Sequence, residues 1–100
     1  MNATDIANTI IQQINYADKW ALPAYGATNF KVIQSNDKHL GGVSFNVNGF
    51  NHKGTVNILL AFNDTYIINF IDKRSQVIKS VDYVYCDMLV DILDYVEHES

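Results

Sequence analysis

The sequence predicts an α+β domain, an antiparallel meander of four to five strands packed on one face by N- and C-terminal helices. Three observations predict it. Val43, Phe45 and Val47, then Val56, Ile58, Leu60 and Phe62, then Tyr66, Ile68 and Phe70 alternate with other residues. That period of two marks half-buried strands. The two ends of the chain instead repeat their apolar residues at the three-to-four spacing of a helix. The connections between strands are short and rich in turn residues, so no parallel crossover fits between them.

The first helix is expected to start at Thr4, with Asp5 placed where a carboxylate meets the positive end of the helix dipole. Ala3, Ala7, Ile10 and Ile14 share one face, with Ile11 beside them, and the helix fades by about Asn15 or Ala17. Residues 16–28 read as a connection broken by Pro23 and Gly26, carrying Trp20, Leu22 and Tyr25. Phe30, Val32 and Ile33 make a first strand, residues 34–41 a turn, and Gly42–Val47 a second strand. Asn48-Gly49 is a strong turn signal, since both residues accept positive φ. Strand three is read as Thr55–Phe62, with Val56, Ile58, Leu60 and Phe62 pointing at the helices. Asn63-Asp64 turns the chain into strand four, Thr65–Ile71, and Gln76–Val81 makes a fifth strand. The closing helix is expected from about Tyr83 to His98, capped by Asp82 or Ser80. Its apolar side is Tyr85, Met88, Leu89, Ile92, Leu93 and Val96.

One hundred residues suit a single domain spanning 1–100. An apolar fraction of 48% and a single proline argue against disorder. Cys86 is the one cysteine, so no internal disulfide can form and a reducing compartment is expected. The opening residues lack the basic and apolar regions of a signal peptide, and no apolar run reaches the ~20 residues that span a bilayer. A soluble, cytoplasmic protein without a membrane partner is the expectation. The net charge of −4 is uneven: residues 82–100 carry six acids and no Lys or Arg, whereas residues 1–81 carry a net +2.

The ends of the chain carry a likeness. Residues 3–14 (ATDIANTIIQQI), Gly26-Ala27-Thr28-Asn29-Phe30 and Val84-Tyr85-Cys86-Asp87-Met88-Leu89 resemble segments of small proteins encoded by tailed phages and prophages. That group has no assigned function, so the resemblance implies a bacterial host cytoplasm and no residue roles.

No catalytic or metal constellation stands out, and neither enzyme activity nor a cofactor is expected. His39 and His52 lie in connections at opposite ends of a meander, roughly 20 Å apart, which prevents a shared ligand. They read as surface loop residues, and His98 as part of the tail. Asp87, Asp91, Asp94 and His98 stack on one helix face, which reads as a solvated face rather than a cation site, with phosphate mimicry as a rival role. Cys86 reads as a buried structural thiol. The glycines show no phosphate-loop spacing.

Topology offers one constellation. The loop before strand one, the loop between strands two and three and the turn between strands four and five share one end of a meander. That end gathers Lys19, Trp20, Tyr25, Phe50, His52, Lys53, Lys73 and Arg74, whereas Asp37, Lys38, His39 and Asp64 gather at the other. Aromatic and basic side chains together suit a protein partner, an anion or a nucleic acid strand. The expected partner-binding set is Trp20, Tyr25, His52, Lys53, Lys73 and Arg74. The expected role is a non-catalytic protein-binding module, such as one that occupies and inhibits a host or defence protein. Its partner is a host or phage protein or a second copy of the chain. The alternative is a binder of nucleic acid or a small anion, which the net acidity disfavours.

Overall fold

The computed structural model describes residues 2–98. Helix α1 (Ala3–Ala17) begins two residues earlier than expected, because Asn2 rather than Thr4 is its cap. The Asn2 Oδ1 accepts the Asp5 N–H at 2.9 Å. Ala3, Ile6, Ala7, Ile10 and Ile14 are the buried stripe of α1. The connection after it contains a single-turn helix, α2 (Ala21–Ala24), with Pro23 inside. Pro fits there because the first turn of a helix leaves N–H groups unpaired anyway.

Five strands follow: β1 (Thr28–Ile33), β2 (Gly42–Asn48), β3 (Lys53–Leu60), β4 (Tyr66–Ile71) and β5 (Val77–Val84). They form one antiparallel sheet in the order β1-β2-β3-β4-β5, the meander that the sequence predicts. Along β2, β3 and β4 the alternating residues Val43, Phe45, Val47, Val56, Ile58, Tyr66, Ile68 and Phe70 are buried. They form one core with the stripe of α1 and with Leu89, Leu93 and Val96 from the end of the chain. The Tyr66 hydroxyl donates to the Gln13 Oε1 at 2.7 Å and pins α1 to β4.

Two readings of this inner face need correction. β3 stops at Leu60, which is half-buried, and Phe62 stands 59% exposed in the turn beyond it. Phe62 sits in a tight turn: the Asp64 N–H bonds back to the Ala61 carbonyl at 3.1 Å, and Asp64 takes φ +66°. At the far end β5 runs three residues longer than expected, to Val84. The strand continues through an irregularity at Tyr83, which takes φ +54°, to the buried Val84, so Tyr85 is exposed rather than on an apolar helix side.

The closing segment is therefore not one helix from Tyr83 to His98. It is a 3-10 turn (Cys86–Met88), a short helix α3 (Leu89–Leu93) and a second 3-10 turn (Asp94–Val96). Tertiary bonds hold it in this broken form. The Val96 carbonyl accepts the N–H groups of Asn51 and His52 at 2.9 and 3.0 Å, and the Tyr95 carbonyl accepts the Asn51 side-chain amide at 2.7 Å. Gly49 permits this docking, because a side chain there would strike the Val96 backbone. Cys86, read from sequence as buried, is exposed where this segment starts. No helix among the described residues is long and apolar enough to cross a membrane.

A candidate interaction surface at the loop end

The meander brings together one end of the sheet as topology requires, with α2, the β2–β3 loop and the β4–β5 turn side by side. The Asn48 N–H donates to the Tyr25 carbonyl at 2.9 Å, which joins the first two. The third is shaped by Asp72, whose Oδ1 accepts the N–H groups of Arg74 and Gln76 at 2.9 and 3.0 Å. Ser75 completes this turn at φ +66°, a conformation that short polar residues tolerate. Lys73 and Arg74 are thereby held at the tip, both exposed.

Between β2, β3 and this turn lies an open cleft of about 480 Å³. Lys53 and Lys73 wall it together with Asn46, Asn48, Thr55, Asp72 and Ser75. A second cleft, of about 350 Å³, shares Asn48 and Lys53 and runs beneath Phe50 toward Ala24 and Glu97. Phe50 is 94% exposed, so a large apolar ring stands in water next to the lysine that both clefts share. Lys53 and Lys73 are thus the two members of the expected set that the fold brings to one site. Arg74 is on the same turn but lines neither cleft.

The other three occupy different positions. Tyr25 is 1% exposed and His52 2%, so neither can present a side chain to a partner. The Tyr25 hydroxyl donates to the Asp94 carboxylate at 3.0 Å, tying α2 to the closing segment. Burial, and then the negative Asp94, push the Tyr25 phenol well above its ordinary range. The His52 ring packs edge-on to Phe70 at 5.6 Å and lies 6.1 Å from Tyr95. The sequence alone predicts both at the surface, because loops are usually wet. Here the loop itself is clamped over the core by the closing segment. Trp20 is 67% exposed and its ring lies under the Lys19 ammonium at 5.4 Å, yet it lines neither cleft.

At the opposite end His39 is buried too, contrary to the surface reading. Its Nδ1 accepts the Gly41 N–H at 3.1 Å, which closes the turn into β2. The acidic stripe does not survive as a straight face, because Asp94 is engaged by Tyr25 while Asp87 and Asp91 are exposed on separate pieces of the closing segment. Among the described residues no group of three His, Cys, Asp or Glu side chains is arranged to hold a metal ion.

Residue identities alone did not mark Asn46, Asn48, Thr55 and Ser75 as cleft walls. The signal was available in the alternation, since the polar residues of β2 and β3 had to share the face opposite Val43, Phe45 and Val56. No family model matches the chain, and neither does any curated protein or solved structure.

Proposed function

We propose that this protein is a non-catalytic binding module that grips a protein partner at the loop end of its sheet. The observation that carries this reading is the pairing of Lys53 and Lys73 across one cleft, with Phe50 exposed beside Lys53. Two lysines with asparagine, serine and threonine side chains suit a polar segment bearing carboxylates. An exposed aromatic ring supplies the apolar anchor that interface cores use. The larger cleft holds one acid, Asp72, against Lys53 and Lys73, so its charge balance is basic. The likeness of the chain's ends to tailed-phage and prophage proteins supports a host or defence protein as the target, in a bacterial cytoplasm. Acting by occupation needs no catalytic group, and both described buried histidines serve the fold instead.

Affinity capture with paired variants tests this. Changing Lys53 and Lys73 to Ala should weaken capture of the partner, whereas changing Asp87 and Asp91 to Asn should leave it intact. The reverse result would move the acting surface to the acidic closing segment. A second reading, nucleic acid or anion binding, rests on the same lysines with Phe50 as a stacking platform. A gel shift of single-stranded oligonucleotide at physiological salt, lost with the lysines, would favour it over a protein partner.

A further inference from the structure

The two clefts at the loop end form one trough whose ends carry opposite charge. They share Asn48 and Lys53, the last pair in the register of β2 with β3. On one side of that pair the trough opens onto the outer face of the sheet. Asn46 and Thr55 are the next pair on that face, and Lys73 adds a second positive charge. On the other side the trough passes over the end of the sheet toward α2 and the closing segment, where Phe50 and Glu97 line it. Lys53 is the one base lining this smaller part among the described residues.

The Glu97 end is negative in its surroundings as well. The Tyr25 phenol is raised by burial first, and then by Asp94, Asp18 and Glu97. Asp94 already accepts the Tyr25 hydroxyl, so Glu97 is the carboxylate that faces the cleft. It is half-buried, and partial removal from water strengthens the attraction between a carboxylate and a cation.

We propose that the trough selects a partner segment of mixed charge, with acidic side chains seated at Lys53 and Lys73 and an arginine seated between Phe50 and Glu97. This deepens, and rests on, the reading of the loop end as a protein-binding site. An arginine fits the smaller cleft better than a lysine does. Its guanidinium donates a fork of N–H groups to a carboxylate and lies flat on an aromatic ring, and Glu97 and the exposed Phe50 ring offer both in one place. A wholly acidic segment satisfies the two lysines but sets a like charge against Glu97, which costs affinity. A nucleic acid strand meets the same penalty, because its phosphates repeat along its whole length. The order of charges in the trough thus favours a protein segment over an anionic polymer.

Fluorescence anisotropy of labelled synthetic peptides with the full chain is the test. One series carries a pair of glutamates, a glycine spacer of graded length and an arginine. A second has glutamine in place of the arginine, and a third has glutamate there. At the best spacing the wild-type protein should bind the arginine peptide about tenfold more tightly than the glutamine peptide, the worth of one interfacial charge pair. Glu97→Gln, which keeps the side chain's shape, should erase that preference. Glu97→Lys should reverse it in favour of the all-acidic series. Changing Lys53 and Lys73 together to Ala should weaken every series while the preference for arginine persists. A wild type with no preference at any spacing, or one that prefers the all-acidic series, would overturn the inference. So would a preference that survives Glu97→Gln. In those cases the loss of binding in the double lysine variant would still uphold the loop end as a site for acidic segments. No binding by any series, or binding indifferent to the double lysine variant, would overturn that underlying reading too.

Discussion

The inner face of the sheet carries Phe45, Val56, Ile58, Ile68 and Phe70, all buried beneath α1 and the closing segment. The outer face of the same strands carries Ser44, Asn57 and Asn69, with no described element over them. Asn57 and Ile58 are adjacent residues, so one step along the chain separates the two environments. The difference teaches where each kind of work is done. The inner face holds the chain together by removing apolar area from water. The exposed side chains of the outer face and of the loop tips, Phe50, Lys73 and Arg74 among them, are not committed to that core, which leaves them free to meet other molecules.

Breaking the inner face should have the largest effect. Ile58→Ala removes a fully buried side chain that the helices cannot collapse to replace, and should cost about 2–5 kcal/mol in urea denaturation. Gly49→Ala tests the clamp between the β2–β3 loop and the closing segment. The added methyl meets the Val96 backbone, so the segment must shift, with an expected loss of roughly 1–3 kcal/mol. If Gly49→Ala is harmless, the loop is not held as described, and the burial of His52 with it.

Tyr25→Phe should cost less, on the order of 1 kcal/mol, for one hydrogen bond to a carboxylate. Its sharper signature is in alkali. The folded phenol binds its proton more tightly than the unfolded one, so its contribution is fully present below the ordinary tyrosine pKa of about 10. Above that pH the unfolded chain sheds the proton first, and stability falls as pH rises. Tyr66, raised by burial in the same direction, adds to the fall. Denaturation at several alkaline pH values should therefore show a shallower decline for Tyr25→Phe than for the wild type. An equal decline would mean that the buried phenol is not what titrates. The smallest effect is expected at Phe62, which the sequence places on the inner face. Exposed in its turn, it should tolerate Ala within about 0.5 kcal/mol, with Leu60→Ala falling between Phe62 and Ile58.

Those residues also show how far the sequence could be read. The meander and its inner face were legible because alternation is a local signal that survives folding: Val56, Ile58, Tyr66, Ile68 and Phe70 are buried as expected. Phe62 departs from the expected inner face because the apolar alternation continues into the turn that the Ala61 carbonyl and the Asp64 N–H close. The closing helix was misread for a non-local reason, since its broken form depends on Asn51 and His52 reaching Tyr95 and Val96 from a loop far away in sequence. The candidate site divides the same way. Topology alone brought Lys53 and Lys73 to one end, but only the clamp over that end decides that Tyr25 and His52 are buried while Phe50 is not. The orphaned Oδ1 of Asn57 follows from packing between neighbouring strands, which no spacing in the sequence reports.

The most direct test of the contrast between faces is the urea midpoint of Asn57→Ala beside that of Ile58→Ala. Ile58→Ala should lose stability heavily. Asn57→Ala removes a buried acceptor that has no partner among the described residues, so it should leave the midpoint unchanged or raise it. A loss for Asn57→Ala as large as that for Ile58→Ala would show that the outer face supports the fold, and would contradict the division of labour between the two faces.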